Sequence, residues 1–199
     1  MSIRKKILAI SIGPVLVLGV ITLLFMLTMV KSSLMDEVQD ALKGTAAATL
    51  AAYDQNTGDY LESTNGDIWK GSYNISKSEN LVDRIKENTG MDVTFFYGNK
   101  RIMTSALDKK GNRILGSEAG ERVVNQVIKG KKPFFSTNVS LDGTRNYGYF
   151  IPVYQNGTTD QVIGMVFVGT NKAQKDAIVN KILGSIMMAL LVVMFLCIV

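Results

Sequence analysis

The sequence predicts an α+β domain, an antiparallel sheet with a long N-terminal helix, held between two transmembrane helices. Three observations predict it. Two uncharged apolar runs, Ile7 to Val30 and Ile182 to Val199, bracket a mixed polar segment. The two-residue turns Gly98-Asn99 and Asp142-Gly143 separate stretches rich in aromatic and β-branched residues, which is the signature of hairpins. From Lys31 to Tyr53 apolar residues recur at helical spacing without a breaker.

The first run holds 24 residues and no charge. At 1.5 Å per residue it reaches about 36 Å, enough to cross a hydrocarbon core of about 30 Å. Pro14 lies near its first turns, where proline is tolerated. A cleaved signal peptide is the alternative. That reading needs a shorter apolar stretch and small residues before the cut, whereas this run ends Leu27-Thr28-Met29-Val30-Lys31. An uncleaved anchor is therefore expected. The second run has 18 residues and the chain stops inside it, so the expectation is a fragment with a cytoplasmic continuation. Arg4, Lys5 and Lys6 abut the first span and place the N-terminus in the cytoplasm by the positive-inside rule. The expected organisation is a cytoplasmic N-terminus (1–6), transmembrane helix 1 (7–30), an extracytoplasmic domain (31–181) and a truncated transmembrane helix 2 (182–199). The domain comprises a stalk helix over 31–53 and a sheet core over 66–171.

Within the domain, Leu34, Val38, Leu42, Ala46 and Leu50 form a narrow stripe on the stalk helix, to be covered by its own domain or by a second copy. A homodimer along this stripe is expected. Asp54, Asn56, Gly58 and Asp59 end the helix. Trp69, Gly71, Tyr73 and Ile75 alternate as one strand, with Trp69 and Tyr73 placed to cap a pocket or simply to pack. Ser76-Lys-Ser-Glu79 reads as a capping box ahead of Leu81, Val82 and Ile85, with Gly90 as the stop. Ser117 opens another helix, carrying Val123, Val124, Val127 and Ile128 and ending at Gly130. The remaining strands cover 92–97, 100–106, 134–141, 144–154 and 161–169, with Asn156-Gly157 leading into the last. They make one sheet of five or six strands with helices on one side. A final helix from about Asn171 runs into the second span.

Hairpin pairing sets which side chains share a face. Across Gly98-Asn99, Tyr97 pairs with Lys100, Phe96 opposes Arg101 and Thr94 opposes Met103. Across Asp142-Gly143, Phe135, Thr137, Val139 and Leu141 share an inward face with Asn146, Gly148 and Phe150. A bulge near either turn would invert the register.

Composition removes much chemistry. There is no histidine and a single cysteine, Cys197. Histidine-based acid/base catalysis, imidazole zinc sites and intrachain disulfides are excluded, and no Walker loop or nucleophile elbow is present. No catalytic residue, metal or cofactor is expected, and the protein reads as no enzyme. The net charge is +5, of which the first six residues carry three; beyond them 19 basic residues face 17 acidic ones. That is a mixed solvated surface, with no nucleic-acid partner expected. A binding module is the leading class.

Three segments carry a family resemblance. They are Asp92-Val-Thr-Phe-Phe-Tyr-Gly-Asn-Lys-Arg101-Ile-Met-Thr104-Ser, Asp108-Lys-Lys-Gly-Asn-Arg113-Ile-Leu-Gly-Ser, and Tyr147-Gly-Tyr-Phe-Ile-Pro152-Val-Tyr with Val162-Ile-Gly-Met-Val-Phe-Val-Gly169. Together they resemble a single Cache domain of the type 3 kind, over residues 66–171. The resemblance implies a PAS-like sheet on a long N-terminal helix, many relatives dimerising through that helix. It implies ligand sensing outside the inner membrane, as in methyl-accepting chemotaxis receptors. Sensor histidine kinases, diguanylate cyclases and a non-sensory membrane-anchored interaction domain remain open as alternatives. Cytoplasmic signalling partners would act through a part beyond residue 199.

Arg101 is the strongest candidate contact. On an inward strand face it either takes an anionic ligand bidentately, bridges an internal carboxylate, or is simply exposed. Phe96 and Thr94 lie beside it, and Asn146 and Phe150 come from the second hairpin. Thr104 enters from the family pattern alone, where carboxylate-sensing relatives carry Arg-x-x-His; alternation puts it on the opposite face unless a bulge intervenes. Thr104, Gly148 and Phe150 depart from those relatives and point to a small organic ligand less charged than citrate, a carboxylate being the class that suits Arg101.

Overall fold

The computed structural model describes residues 3–156 and 158–198. The outermost residues of the expected segments 1–6 and 182–199, Gly157 of the expected turn and the side chain of Cys197 lie outside the described residues.

The chain divides into two compact units. One consists of helix α1 (Ile3–Asp54) up to Glu37 and helix α4 (Lys172–Ile198) from Gln174 onward. Leu18, Ile21, Phe25, Met188 and Phe195 are exposed there, an apolar surface suited to lipid. Two helices, Val17–Asp54 and Lys172–Val193, are long and apolar enough to cross a membrane.

The other unit, Val38–Ala173, is the α+β domain. Strands β1 (Tyr60–Glu62), β2 (Ile68–Lys70) and β3 (Tyr73–Asn74) form a small antiparallel sheet. The single strand expected from Trp69 to Ile75 is thus a tight hairpin. Gly71 breaks it with φ of 55°, and a Cβ there would lie 1.8 Å from the Thr57 carbonyl oxygen, so no side chain fits. Helix α2 (Glu79–Thr89) follows a 3₁₀ turn over Ile75–Lys77. Its N-cap is Ser78, not Ser76 of the expected capping box. The Ser76 hydroxyl is occupied by the Ile68 N–H at 2.9 Å, while the Ser78 hydroxyl meets the buried Tyr53 hydroxyl at 2.9 Å. Gly90 ends α2 in the left-handed conformation, as expected.

The main sheet has five antiparallel strands in the order β5-β4-β8-β7-β6. They are β4 (Asp92–Tyr97), β5 (Lys100–Thr104), β6 (Phe134–Leu141), β7 (Thr144–Tyr154) and β8 (Val162–Asn171). Between β5 and β6 lies α3 (Glu121–Val123), which continues as a π-helical turn over Val124–Lys129. Helices cover both faces rather than the one expected. On one face Tyr53 of α1 meets Phe95 edge-on at 5.1 Å, and Tyr60 stacks on the same ring at 5.9 Å. On the other, Val127 packs with Phe96, Phe150, Met165 and Phe167. Phe95 and Phe96 are consecutive and both buried, so alternation on β4 feeds two cores. Each fully buried large apolar side chain is worth about 1.5–3 kcal/mol.

The stalk stripe is consumed by the domain itself. Leu42, Ala46, Thr49 and Tyr53 are fully buried within this one chain. The sequence reading expected a homodimer along this stripe; over 42–53 its own domain covers that face instead, while Leu34, Val38 and Leu50 stay half-buried.

Candidate functional site

The site begins at the β4–β5 hairpin. Gly98 turns the chain at φ of 56°, Tyr97 pairs with Lys100 and Phe96 with Arg101, as the turn rule requires. Beyond them the register shifts. Phe95 faces Met103 and Thr94 faces Thr104, leaving Ile102 as the extra residue of a bulge. The expected Thr94–Met103 pair is therefore incorrect. The bulge puts Thr104 on the same face as Arg101 and Phe96, the placement that strict alternation denied it.

A second bulge shapes β6. Near the turn Leu141 opposes Thr144 and Val139 opposes Asn146, but past Thr137-Asn138 Ser136 opposes Gly148 and Phe134 opposes Phe150. Phe134 thus takes the inward place expected for Phe135. Phe135 turns to the other face and stacks on Tyr147 at 6.3 Å.

These strands and the approach to α3 enclose a cavity of about 510 Å³. Phe96, Phe150 and Phe167 line it from the sheet, Phe134 and Val139 from β6, and Val123 from α3. Arg101 also lines it. The segment entering α3 is laid beside β5 by backbone bonds. Arg101 N–H donates to Ser117 O at 2.9 Å, and Ala119 N–H donates to Asn99 O at 2.8 Å. Those bonds hold residues 116–119 extended, so the helix starts at Glu121 rather than at Ser117.

Arg101 is 7% exposed. Its Nη1 donates to the Ile114 carbonyl at 3.3 Å, and its guanidinium lies 5.3 Å from the Phe96 ring centroid. Its Nε is buried without a hydrogen-bond partner, and no carboxylate of the described residues lies within ion-pair distance of it. Burial pulls its pKa below the ordinary arginine value and the Asp92 charge pushes it back up. The guanidinium stays protonated at any physiological pH. Of the three sequence alternatives, exposure and an internal bridge are not what the structure shows. Arg101 is thus a buried cation with spare donors in a cavity whose lining mixes phenylalanine rings with polar and charged groups, Glu118, Arg122 and Ser136 among them.

Of the six candidate residues, the cavity brings together Phe96, Arg101 and Phe150. Thr94, Thr104 and Asn146 share their sheet face and do not line the cavity. The Thr94 and Thr104 hydroxyls bond each other at 2.7 Å, and Ala106 N–H donates to Thr104 Oγ1 at 3.1 Å. Asn146 is buried and donates its amide to the Thr144 carbonyl at 2.9 Å. Trp69 and Tyr73 belong to the small sheet and line no part of the cavity. The sequence reading did not name Arg122, which lies over the Phe134 ring at 5.3 Å, or Phe167 among the site residues. No local pattern announces Arg122, because it reaches the site through α3.

Arg113 braces this region. It donates to Asp83 Oδ1 at 2.9 Å and to the Thr104 carbonyl at 2.8 Å, tying α2 to the end of β5. Hydrogen bonding to Arg113 holds the Asp83 carboxyl below its usual range, and Asp83 raises Arg113 in turn.

The sequence profile of the family described as single Cache domain 3 matches residues 73–182. The chain belongs to the single Cache domain family. The solved structures this chain resembles include receptor sensory and ligand-binding domains. The ligand-binding domain of the Campylobacter jejuni chemoreceptor Tlp3, solved with L-valine, superposes with a TM-score of 0.54 at 11% identity, over 85% of this chain and 65% of that one. An extracellular ligand binding receptor from Desulfohalobium retbaense DSM5692 gives 0.52 at 15% identity, over 77% of this chain and 26% of that one. At such identities the likeness is one of fold, and this single Cache chain spans between about a quarter and two thirds of those proteins. No curated protein matches it.

Proposed function

We propose that this single Cache domain senses a small organic anion outside the inner membrane and passes the signal through its second transmembrane helix, as the ligand-binding part of a chemotaxis receptor. The observation that carries this reading is Arg101, a buried cation with an unpartnered Nε, no ion pair among the described residues and phenylalanines in the cavity wall beside it. A carboxylate satisfies the fork, and the rings take an apolar body. The Tlp3 domain has been solved with L-valine and with isoleucine, so amino acids belong to the ligand classes that this reading includes.

Connectivity supplies the route. β8 carries Phe167 in the cavity and passes at Asn171 directly into α4. Lys172, the first residue of α4, donates to the Tyr147 hydroxyl at 2.6 Å and so fastens the helix start to β7. A ligand that favours one arrangement of β7 and β8 shifts the start of α4 with it. The dimer expected from the family resemblance belongs to the same proposal.

The test is a screen of mono- and dicarboxylates and amino acids against the full chain in nanodiscs. A saturable rise in melting temperature with at least one of them is expected. Indifference to all of them, with a partner protein retained by the domain instead, would establish the non-sensory interaction reading.

A further inference from the structure

The ring of Phe167 rests on two glycines. Gly148 and Gly169 are register partners on β7 and β8. A Cβ on Gly169 would lie 2.4 Å from Phe167 Cζ, and one on Gly148 would lie 2.5 Å from Phe167 Cε2 and 2.8 Å from Val139 Cγ2. Neither distance is physical, so the ring occupies space that exists only because both side chains are missing. Phe167 also packs on Phe150, with centroids 4.7 Å apart, and it lines the same cavity as Arg101. It is 1% exposed. The ring is therefore a wall of the cavity whose position is set by what lies behind it.

We infer that Phe167, seated on Gly148 and Gly169, is the specificity-determining residue that fixes how long a ligand body the cavity accepts beyond the carboxylate on Arg101. This rests on the reading of the cavity as an Arg101-anchored anion site, and it narrows the ligand class to carboxylic acids with a compact apolar body. The rings of Phe134, Phe150 and Phe167 offer no hydrogen-bond donor, so the part of the ligand that meets them is apolar, and a further anionic group would have to turn towards Arg122 instead. A longer body would have to displace the Phe167 ring, which has no free space on the glycine side.

Two substitutions move the wall in opposite directions. Phe167→Leu shortens the side chain and deepens the cavity. Gly148→Ala puts a methyl group 2.5 Å from Cε2, inside contact distance, and drives the ring off the sheet towards the cavity. The experiment titrates acetate, propionate, butyrate, pentanoate and hexanoate into the full chain in nanodiscs by calorimetry. The wild type should show a best-bound acid, and Arg101→Ala should lose the whole series. Phe167→Leu should shift the optimum longer by about one carbon, changing the preference between neighbouring acids by roughly tenfold. Gly148→Ala should shift it shorter. If either variant fails to fold, the other decides. Arg101-dependent binding with the same optimum in the variants overturns this inference and leaves the anion site standing. A wild type that binds none of the acids overturns the anion site and this inference together.

Discussion

The guanidinium of Arg101 lies 5.3 Å from the Phe96 ring centroid, and these two cross-strand partners face one cavity in which no carboxylate of the described residues comes within ion-pair distance of the guanidinium. The pairing follows from a two-residue turn, yet its consequence is energetic. A cation is held out of water with a ring below it and a single long bond to Ile114. Such a group gains from a ligand and gives little to the empty fold.

We predict accordingly that Arg101→Ala weakens binding of the best carboxylate from the screen at least tenfold, the loss of a charge-assisted bond of roughly 1.5–3 kcal/mol. The ligand-free melting temperature should stay level or rise, because no carboxylate is orphaned. Melting curves with and without ligand check both halves. An undiminished ligand-induced shift in the variant would remove Arg101 from the site.

Thr104 should behave in the opposite way. Its hydroxyl is bonded to Thr94 and accepts from Ala106 N–H, both out of the cavity's lining. Thr104→Val keeps the shape and strands two buried polar groups, at a cost of about 1–3 kcal/mol. Ligand affinity of the folded protein should be unchanged. Chemical denaturation and calorimetry separate the two effects, and a selective loss of affinity would return Thr104 to the binding site.

The contrast between these residues shows what was legible in the sequence. Turn chemistry dictates pairs next to the turn, so Phe96–Arg101 could be read from Gly98-Asn99. Bulges have no such signal, and both errors of facing lie just past one. Ile102 moved Thr94 from Met103 to Thr104, and Thr137-Asn138 exchanged Phe135 for Phe134. Helix punctuation failed where tertiary bonds claimed the punctuating residue, as the Ile68 N–H claims Ser76 and β5 claims the backbone around Ser117. The cavity itself was not legible, since Arg122 and Phe134 reach it from elements that only the packed fold brings beside β5.

Arg113 and Asp83 give a pH dependence whose sign can be worked out. The folded carboxyl titrates below its unfolded value of about 3.9. The pair's contribution is therefore fully present above that pH and is lost as pH falls through the folded value. Arg113→Ala should destabilise the domain at neutral pH, and the gap to wild type should narrow as pH drops below about 4. Urea midpoints from neutral to acid pH measure it. A gap that is constant across that range would show that the ion pair contributes nothing and that only the bond to the Thr104 carbonyl matters.

Orientation is open to chemical labelling. Arg4, Lys5 and Lys6 predict the domain outside. Single cysteines at Thr64 and Asn156, both exposed, should react with an impermeant thiol reagent on intact cells, in a background lacking Cys197. Protection of both until lysis would invert the topology.

The last prediction concerns the helix face through which two copies would meet. Leu42, Ala46, Thr49 and Tyr53 are buried in their own domain and cannot also serve a partner. Residues three and four apart share a helix face, so the exposed positions Ala41, Gly44, Ala48 and Ala51 form one surface on the far side of α1. Their small side chains let two helices approach closely. If the domain dimerises through α1, as the family resemblance implies, single cysteines at 44, 48 and 51 should crosslink between copies, whereas cysteines at 42, 46 and 53 should not. The pattern follows from burial within one chain and does not depend on the ligand. Efficient crosslinking at 42 and 46 would mean that the stripe leaves its own sheet in the dimer. A profile flat across all six positions would show that α1 is not the interface.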